Sequence, residues 1–155
     1  MFNVALLEPD IGGNVGNAAR TCLAVGAPLH LIKPLGFRLT DKALRRAGMD
    51  YWEEADIRVH AGFQAFQAAF AGQFRDGRVF SFTRHAETPY SQVRYQRGDV
   101  LLFGSESAGL PSFVRDLTVP VRIPMRPHAR SLNLAVSVAL AVYEAWRQHG
   151  FEASC

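Results

Sequence analysis

Six short apolar runs, each bounded by turn residues, recur along the chain and limit its possible folds more than any other feature. Most are too short for helices and rich in β-branched or aromatic residues. Several lack the polar alternation of a strand with one face in water. The runs are "FNVALL" (2–7), "LHLI" (29–32), "DIRVH" (56–60), "RVFSFT" (78–83), "DVLLFG" (99–104) and "LTVPVRIP" (117–124). This pattern predicts buried parallel strands.

Helical patterns separate these runs. Residues 14–25 predict one helix. In "GFQAFQAAFAGQF" phenylalanines recur at steps of three and four, which predicts a helix with one buried face formed by Phe63, Phe66, Phe70 and Phe74. Strands that alternate with helices along the whole chain predict an α/β fold, with a mainly parallel six-stranded sheet flanked by helices. We expect the 155 residues to form one domain, residues 1–155.

The last helical pattern differs from the others. We expect a helix from Leu132 to about His149, with Ser131 as its N-cap and Gly150 at its C-terminal end. Apolar residues occupy nearly every side of its first three turns, which predicts a helix buried all round. In a domain of this size such a helix suggests a subunit interface on one face. A central helix of a monomer is the alternative.

The basic residues are almost all arginines. The net charge is +3, and among the 17 basic residues only Lys33 and Lys42 are lysines. The planar guanidinium fork suits phosphate and stacks on bases, so this composition fits RNA binding. A bias of genome composition explains it equally well.

The cysteines and the N-terminus bear on the cellular compartment. Cys22 and Cys155 show no CxxC spacing, so the sequence predicts neither a disulfide framework nor a metal site, and a reducing compartment fits. The N-terminal "MFNVALLEPD" has no basic region, and its apolar run is too short for a signal peptide or a membrane span. We therefore expect a cytoplasmic protein.

Ligands of open α/β sheets bind beyond the carboxyl ends of the strands, and the turn after the first run is one candidate. In "EPDIGGNVGNAARTC" (8–22) a dinucleotide fingerprint fails, because asparagines stand where its second and third glycines belong, and no Walker lysine follows. Asn14 and Asn17 either cap the following helix or face a ligand. Arg20 lies either on the surface or at a site.

A second candidate turn is "LLFGSESAGLP" (101–111). Gly104 and Gly109 would let the backbone approach a ligand closely, and Glu106 stands between them. The serines do not fit the G-x-S-x-G pattern of an esterase, and no acid is placed to orient His128 as a triad histidine. A hydrolase is therefore disfavoured.

A third candidate turn precedes the last helix. Pro124 and Pro127 bend the backbone there, and Ser131 and Asn133 bring a hydroxyl and an amide to the helix end. Backbone groups of such a loop can bind an adenine edge while side chains face the reacting atoms. Capping accounts for Ser131 and leaves Asn133 for a ligand.

Taken together, three segments resemble the signature motifs of the SPOUT superfamily of S-adenosylmethionine-dependent RNA methyltransferases. They are "NVGNAAR" (14–20), "LLFGSESAGLP" (101–111) and "IPMRPHARSLNLAVSVALAVYE" (123–144). Within that superfamily the short length and "KPLGFRLTDKALRRAGMDYW" (33–52) resemble the minimal tRNA (cytidine/uridine-34)-2'-O-methyltransferases. The resemblance runs from about residue 2 to residue 149.

The resemblance implies a fold, an assembly and a reaction. It implies a parallel α/β sheet whose C-terminal part forms a trefoil knot, a homodimer, and methylation of the wobble ribose in the tRNA anticodon stem-loop. Methylation of another tRNA or rRNA nucleotide, or a non-catalytic RNA-binding relative, are the alternatives.

The resemblance also implies roles for individual residues. The reaction-centre positions are Asn14, Arg20, Glu106, Ser131 and Asn133. The adenosine of S-adenosylmethionine would lie near Phe82, Gly104, Ile123, Met125 and Leu132, with Ser131 near the methionine end. In such a dimer Arg20 comes from one protomer and the donor pocket from the other.

Two roles are open for Arg20. Members of the family are proposed to use this arginine as a base, but a guanidinium, with a pKa above about 12, stays protonated in proteins. A neighbouring carboxylate such as Glu106 would favour the charged form further. We therefore expect Arg20 to stay charged, to orient the ribose or an adjacent phosphate, and to stabilise negative charge on the attacking oxygen.

RNA contact requires basic and aromatic side chains on the surface. The candidates for phosphate contact are Arg45, Arg46, Arg126 and Arg130, and the candidates for base stacking are Tyr51 and Trp52. A solvated helix face explains Arg45 and Arg46 equally well, and a core position is the favoured explanation of Trp52.

Overall fold

Six parallel strands form one sheet in the computed structural model, which describes residues 1–40, 42, 45 and 52–153. They are β1 Asn3–Leu7, β2 Leu29–Ile32, β3 Ile57–His60, β4 Val79–Phe82, β5 Val100–Phe103 and β6 Val119–Val121. Each strand lies inside one of the six apolar runs. The predicted parallel sheet is therefore confirmed.

The strand order places two distant loops side by side. The sheet runs β3-β2-β1-β5-β4-β6, so the order changes direction at β1, which pairs with β2 on one side and β5 on the other. Leu6 near the end of β1 is in register with Phe103 at the end of β5. Loops leaving these strands diverge at such a switch point and leave a crevice where ligands bind.

Helices cover both faces of the sheet. Helices α1 (Gly12–Val25) and α5 (Leu134–Gln148) share one core cluster with one set of strand residues. Helices α2 (Phe63–Ala69), α3 (Ala71–Arg75) and α4 (Ser112–Asp116) lie against the other set. Because successive strand side chains point to opposite faces, burial on both faces explains why the apolar runs lack polar alternation.

The phenylalanine stripe forms core, but in two helices. Phe66 and Phe70 are buried, and Phe63 and Phe74 pack against the same cluster, as predicted. The predicted single helix is wrong, because Phe70 leaves helical geometry (φ −114°, ψ 28°) between α2 and α3. In that position its ring meets the edge of His30, with the ring centroids 4.9 Å apart.

Asn133 caps α5, and Ser131 does not. Asn133 has extended geometry (φ −56°, ψ 140°), and its side-chain oxygen accepts hydrogen bonds from the N–H groups of Ala135 and Val136. The helix therefore begins at Leu134, and the predicted start at Leu132 is wrong. Gly150 (φ 65°) follows the last turn, as predicted.

The start of α1 also differs from the prediction. The helix begins at Gly12, and its N-cap residue Ile11 offers no side-chain acceptor. Asn14 and Asn17 therefore lie inside the helix and cap neither end.

The last helix is not buried all round in the single chain. Val138, Ala141 and Val142 are fully buried, whereas Val136 and Tyr143 are 48% and 43% exposed. Together with Leu140, which is 38% exposed, these two residues form an apolar stripe along the outer side of α5. Trp52 is partly buried and packs against the core that lies under α1 and α5.

Two further sequence predictions concern the chain as a whole. Within the part that the structure describes, no helix combines the length and the apolar character that a bilayer crossing requires. Cys22 is a buried free thiol, and Cys155 lies outside the described residues. The trefoil knot stays a prediction.

A histidine pair, a buried His30 and a partly buried His60, joins β2 to β3. Nδ1 of His30 lies 2.9 Å from Nε2 of His60, and Nε2 of His30 lies 3.4 Å from the side-chain oxygen of Asn3. Because that oxygen can only accept, His30 carries its proton on Nε2 and accepts from His60. Burial, and then repulsion from His60 and Arg58, lower the pKa of His30 from 6.5 to about 4.

This depressed pKa predicts acid sensitivity of the fold. Between pH 6.5 and about 4 the unfolded chain binds a proton at His30 that the folded chain excludes. The free energy of unfolding should therefore fall as the pH drops through this window, by on the order of 3 kcal/mol from this residue. Urea unfolding at a series of pH values measures the slope. In His30→Asn the slope should be smaller, and an unchanged slope would contradict the assignment.

Candidate active site

Three loops meet at the carboxyl edge of the sheet. We call them the β1 loop (residues 8–11), the β5 loop (104–111) and the β6 loop (122–133). Hydrogen bonds between side chains join positions that are 92 and 119 residues apart in the sequence. The three candidate turns of the sequence therefore form one site.

Glu106 of the β5 loop supplies the cap that α1 lacks. Its carboxylate accepts hydrogen bonds from the backbone N–H groups of Asp10 (2.7 Å) and Ile11 (3.2 Å). These donors lie at the N-terminus of a helix, where N–H groups have no partner within the helix and where negative charge is favourable. A residue of the loop after a neighbouring strand thus fixes the start of α1.

Asn14 links this carboxylate to the start of α5. Its amide nitrogen donates to Glu106 (3.0 Å), and its amide oxygen accepts from the amide nitrogen of Asn133 (2.9 Å). The oxygen of Asn133 is already used to cap α5. Each amide therefore has one fixed orientation, and the chain of hydrogen bonds runs in one direction from Asn133 to Glu106. We call these three residues the amide chain.

A second link joins the β1 and β5 loops. One carboxylate oxygen of Asp10 accepts hydrogen bonds from both the backbone N–H (3.0 Å) and the hydroxyl (2.6 Å) of Ser107. The sequence analysis identified neither residue as part of a site. The sequence shows only that both residues follow the end of a strand. That they contact each other can be inferred only when β1 and β5 are known to be neighbouring strands.

The β1 loop is also held from its other side. The Gly36 N–H donates to the carbonyl of Pro9 (2.9 Å), and a Cβ at Gly36 would lie 2.6 Å from the backbone oxygen of Asp10. Glu8 adopts the left-handed region (φ 51°), which is costly for a residue other than glycine. The loop therefore keeps its conformation because its surroundings enforce it.

Gly104 closes the β5 loop upon itself. A Cβ at Gly104 would lie 2.2 Å from the backbone carbon of Gly109 and 2.4 Å from the nitrogen of Leu110. Gly109 has φ 66° and donates its N–H to the carbonyl of Ser105 (2.9 Å). The sequence analysis attributed Gly104 to close approach of a ligand, whereas here the close approach is to the loop's own backbone.

A cavity of about 610 Å³ opens between these loops and the residues that follow β4. This volume is within the range of about 300–1,000 Å³ that is usual for small-molecule sites. Phe82 and Phe103 lie in its wall with their rings stacked, 4.6 Å between centroids and 17° between planes. The wall also contains every residue predicted for the donor pocket: Phe82, Gly104, Ile123, Met125, Ser131 and Leu132.

Four of the five reaction-centre positions also line the cavity, namely Asn14, Glu106, Ser131 and Asn133. Arg20 is exposed on α1 and lies outside the lining that the described residues form. The structure therefore brings the donor-pocket residues together with most of the reaction centre, and it leaves Arg20 of the same chain apart.

The candidate RNA contacts are spread over the surface. Arg130 is exposed and lines the cavity, and Arg126 is exposed on the same β6 loop. Arg45 is exposed, whereas Arg46 and Tyr51 lie outside the described residues. Within the described ranges, no three His, Cys, Asp or Glu side chains are grouped as metal ligands would be.

Comparison with known proteins adds family relationships to this geometry. The model of the SpoU rRNA methylase family matches residues 1–143. A tRNA (cytidine(34)-2'-O)-methyltransferase of Methylovorus glucosotrophus is 48% identical over 154 residues, and the match covers 97% of each chain.

Solved structures are similar as well. One, described as giving structural insights into the 2-OH methylation of C/U34 on tRNA, has a TM-score of 0.90 at 47% identity and covers 98% of both chains. An AdoMet-bound rRNA methyltransferase from Sinorhizobium meliloti has a TM-score of 0.79 at 28% identity, over 94% of this chain and 56% of that chain.

The fixed direction of the amide chain predicts a sharp difference between two asparagines of α1. Asn14→Asp puts a carboxylate against Glu106 and removes a donor, so stability at pH 7 should fall by about 1–3 kcal/mol. Asn17→Asp is the matched control. It adds the same charge near the same helix N-terminus at an exposed position, where it should be neutral or slightly stabilising. Urea unfolding of both variants tests this, and equal stabilities would contradict the network.

The closure of the β5 loop predicts that Gly104 tolerates no side chain. Gly104→Ala should lower the free energy of unfolding by about 1–3 kcal/mol, because the added methyl group overlaps backbone. In the control Gly13→Ala the new methyl group meets nothing within 4 Å. That variant should be unchanged or more stable, by up to about 1 kcal/mol. If both variants unfold at the same urea concentration, the contact assigned to Gly104 is wrong.

Proposed function

The chain belongs to the SpoU rRNA methylase family, and from that premise we propose that it transfers a methyl group from S-adenosylmethionine to the ribose 2'-hydroxyl of nucleotide 34, cytidine or uridine, of tRNA. The observation that carries the proposal is the amide chain. It holds the three motif loops around one cavity, and the near-full-length relative with this activity makes nucleotide 34 the target.

The cavity has the features that S-adenosylmethionine requires. The stacked Phe82 and Phe103 offer an apolar wall for a purine, and Ile123 and Leu132 add apolar surface around it. Ser131 and the amides of the chain supply hydrogen-bonding groups at the other end. When bound, the donor would supply an electrophilic methyl group on a sulfonium: as the bond from the methyl carbon to the 2'-oxygen forms, its bond to sulfur breaks, S-adenosylhomocysteine leaves and the hydroxyl proton passes to water.

Glu106 contributes to the site by holding other groups in place. Its carboxylate oxygens accept three hydrogen bonds, two from backbone N–H groups of the β1 loop and one from the side-chain amide of Asn14. They hold the start of α1 and aim Asn14 at Asn133. We therefore assign Glu106 a positioning role, with Asn14, Ser131 and Asn133 facing the reacting groups.

Arg20 completes the reaction centre from a second protomer. Helices α1 and α5 lie on the same face of the sheet, and α5 exposes the apolar stripe of Val136, Leu140 and Tyr143. A second copy of the chain seated on this stripe would be next to α1, which supports a homodimer in which Arg20 reaches the partner's cavity. Arg20 stays charged, orients the ribose or its phosphate, and stabilises the developing oxyanion.

The part of the tRNA that the protein would bind is the anticodon stem-loop. Arg126 and Arg130 lie on the β6 loop, next to the cavity in which the hydroxyl must react. Arg45 and Arg46 are further candidates for phosphate contact. We place the reaction in the cytoplasm, where the tRNA substrate is found.

Nucleoside mass spectrometry tests the target directly. The wild-type protein is incubated with labelled donor and tRNA, and the labelled nucleoside is identified. We expect 2'-O-methylcytidine or 2'-O-methyluridine at position 34, and no label in a tRNA with 2'-deoxyribose at that position. Unchanged labelling of the deoxy substrate would move the target to another nucleotide. Absence of label with every RNA would favour a non-catalytic relative.

Substitution of Arg20 tests the reaction centre. In Arg20→Ala we expect kcat to fall about 100-fold or more, because a preorganised charge at the oxyanion is lost. Donor affinity should remain, because every residue assigned to the donor lines the cavity of one chain, whereas Arg20 is assigned to the ribose or its phosphate. Arg20→Lys should stay slow, since a point charge does not replace the fork. Near-normal turnover in an Arg20→Ala dimer would contradict both the electrostatic and the base role.

Mixed dimers test whether Arg20 acts across the interface. Gly104→Ala displaces the backbone of Gly109 and Leu110, which lines the donor cavity, and so inactivates the site of its own chain. Coexpression of an Arg20→Ala chain with a Gly104→Ala chain then gives mixed dimers with one complete site. Half of the dimers are mixed at equal expression, so activity should return to about a quarter of the wild-type value. No recovery in mixed dimers would place Arg20 in the site of its own chain.

A further inference from the structure

Cationic side chains border the cavity on two different loops. Arg84 and His85 follow β4, Arg130 lies on the β6 loop, and all three are exposed and line the cavity. Exposed lining residues lie at the opening of a cavity, so these side chains stand where a large ligand would enter. The sequence analysis did not identify Arg84 or His85.

The charge of the lining is not balanced within the chain. Among the described residues Glu106 is the only carboxylate that lines the cavity, and three N–H groups of the β1 loop and Asn14 already bind it. Arg115, a third lining arginine, lies on α4 and donates to the carbonyl of Leu110 on the β5 loop (2.8 Å). Neither Arg84 nor Arg130 has an ion pair with a described carboxylate.

The methyl donor does not supply the missing negative charge. S-adenosylmethionine carries a sulfonium, an ammonium and a single carboxylate, so its net charge is positive. Two guanidinium groups with no carboxylate partner would repel it at the opening, which is costly unless an anion is also present. The substrate of the proposed function, by contrast, brings a phosphate on each side of the reacting ribose.

We propose that Arg84 and Arg130 form a subsite for a phosphate oxyanion of the RNA backbone at the opening of the cavity. This inference rests on the proposed function. Guanidinium forks bind phosphate through paired N–H groups, and two forks from two different loops of the same cavity would fix both the position and the orientation of the strand. Arg126 is exposed on the same β6 loop but does not line the cavity.

The subsite thereby divides the cavity by charge. The deep wall around Phe82 and Phe103 receives the cationic donor, and the opening receives the anionic strand. A strand held by the phosphate next to the reacting ribose carries its 2'-hydroxyl towards Asn14 and Asn133 with few remaining degrees of freedom.

Binding measurements on Arg84→Ala test the subsite. The probe is an anticodon stem-loop RNA, titrated by fluorescence anisotropy at several salt concentrations without donor. We expect Kd for the RNA to rise about tenfold and the slope of log K against log salt to fall by about one unit. Arg84→Lys should keep the slope and recover only part of the affinity, because the charge remains and the fork is lost.

Arg75→Ala is the matched control. It removes the same charge from an exposed position on α3 that does not line the cavity, and it should leave RNA affinity and slope unchanged. Thermal unfolding of each variant confirms that the fold is retained.

Calorimetry with S-adenosylmethionine alone separates the two sources of an oxyanion. We expect Arg84→Ala to leave donor affinity within twofold of wild type. A loss of donor affinity as large as the loss of RNA affinity would assign the arginine to the donor carboxylate and overturn the proposal. RNA affinity and salt slope equal to those of Arg75→Ala would overturn it as well. Whether the wild-type protein labels position 34 of tRNA tests the proposed function independently of this subsite.

Discussion

The amide chain from Asn133 through Asn14 to Glu106 is the interaction on which the site depends. It joins the start of α1 to the loop after β5, 92 residues away in the sequence, and to the start of α5, 119 residues away. Two of its three members have a structural task as well: Asn133 caps α5, and Glu106 binds the N–H groups at the start of α1. Because the same groups form the helix ends and line the cavity, the helices cannot be placed without also placing the reaction centre.

The parts of the fold that depend on local pattern could be predicted from the sequence. Each strand was recognisable because burial on both faces leaves a continuous apolar run, and the spacing of Phe66 and Phe70 identified a core face. The division of that helix at Phe70 was not predictable from the local spacing, which does not register the contact between Phe70 and His30 on another element. The cap of α5 was misplaced for a similar reason. Ser131 and Asn133 are both good caps by residue type, and the contact between Asn133 and Asn14 distinguishes them.

The site shows the same division between local and distant causes. Motif resemblance identified Asn14, Glu106, Ser131 and Asn133, and the structure places all four around one cavity. Resemblance did not explain why Gly104 must be glycine, since the backbone it meets belongs to a turn that closes only in three dimensions. It also missed Asp10 and Ser107, whose contact exists because β1 and β5 are adjacent strands. No local sequence pattern identifies an arginine such as Arg84 as part of a site. It is identified by the excess of arginines over carboxylates among the residues that line the cavity.

Donor binding by an Asn133→Asp variant tests most directly whether the amide chain forms the donor site. Aspartate is as good a helix cap as asparagine, so α5 should keep its stability. Its second oxygen, however, cannot donate to Asn14, and either that hydrogen bond or the one to Glu106 must break. We expect calorimetry to find affinity for S-adenosylmethionine reduced about tenfold, the equivalent of one lost hydrogen bond, while circular dichroism shows that the protein keeps its helix content. Wild-type affinity in a fully folded Asn133→Asp protein would contradict this expectation.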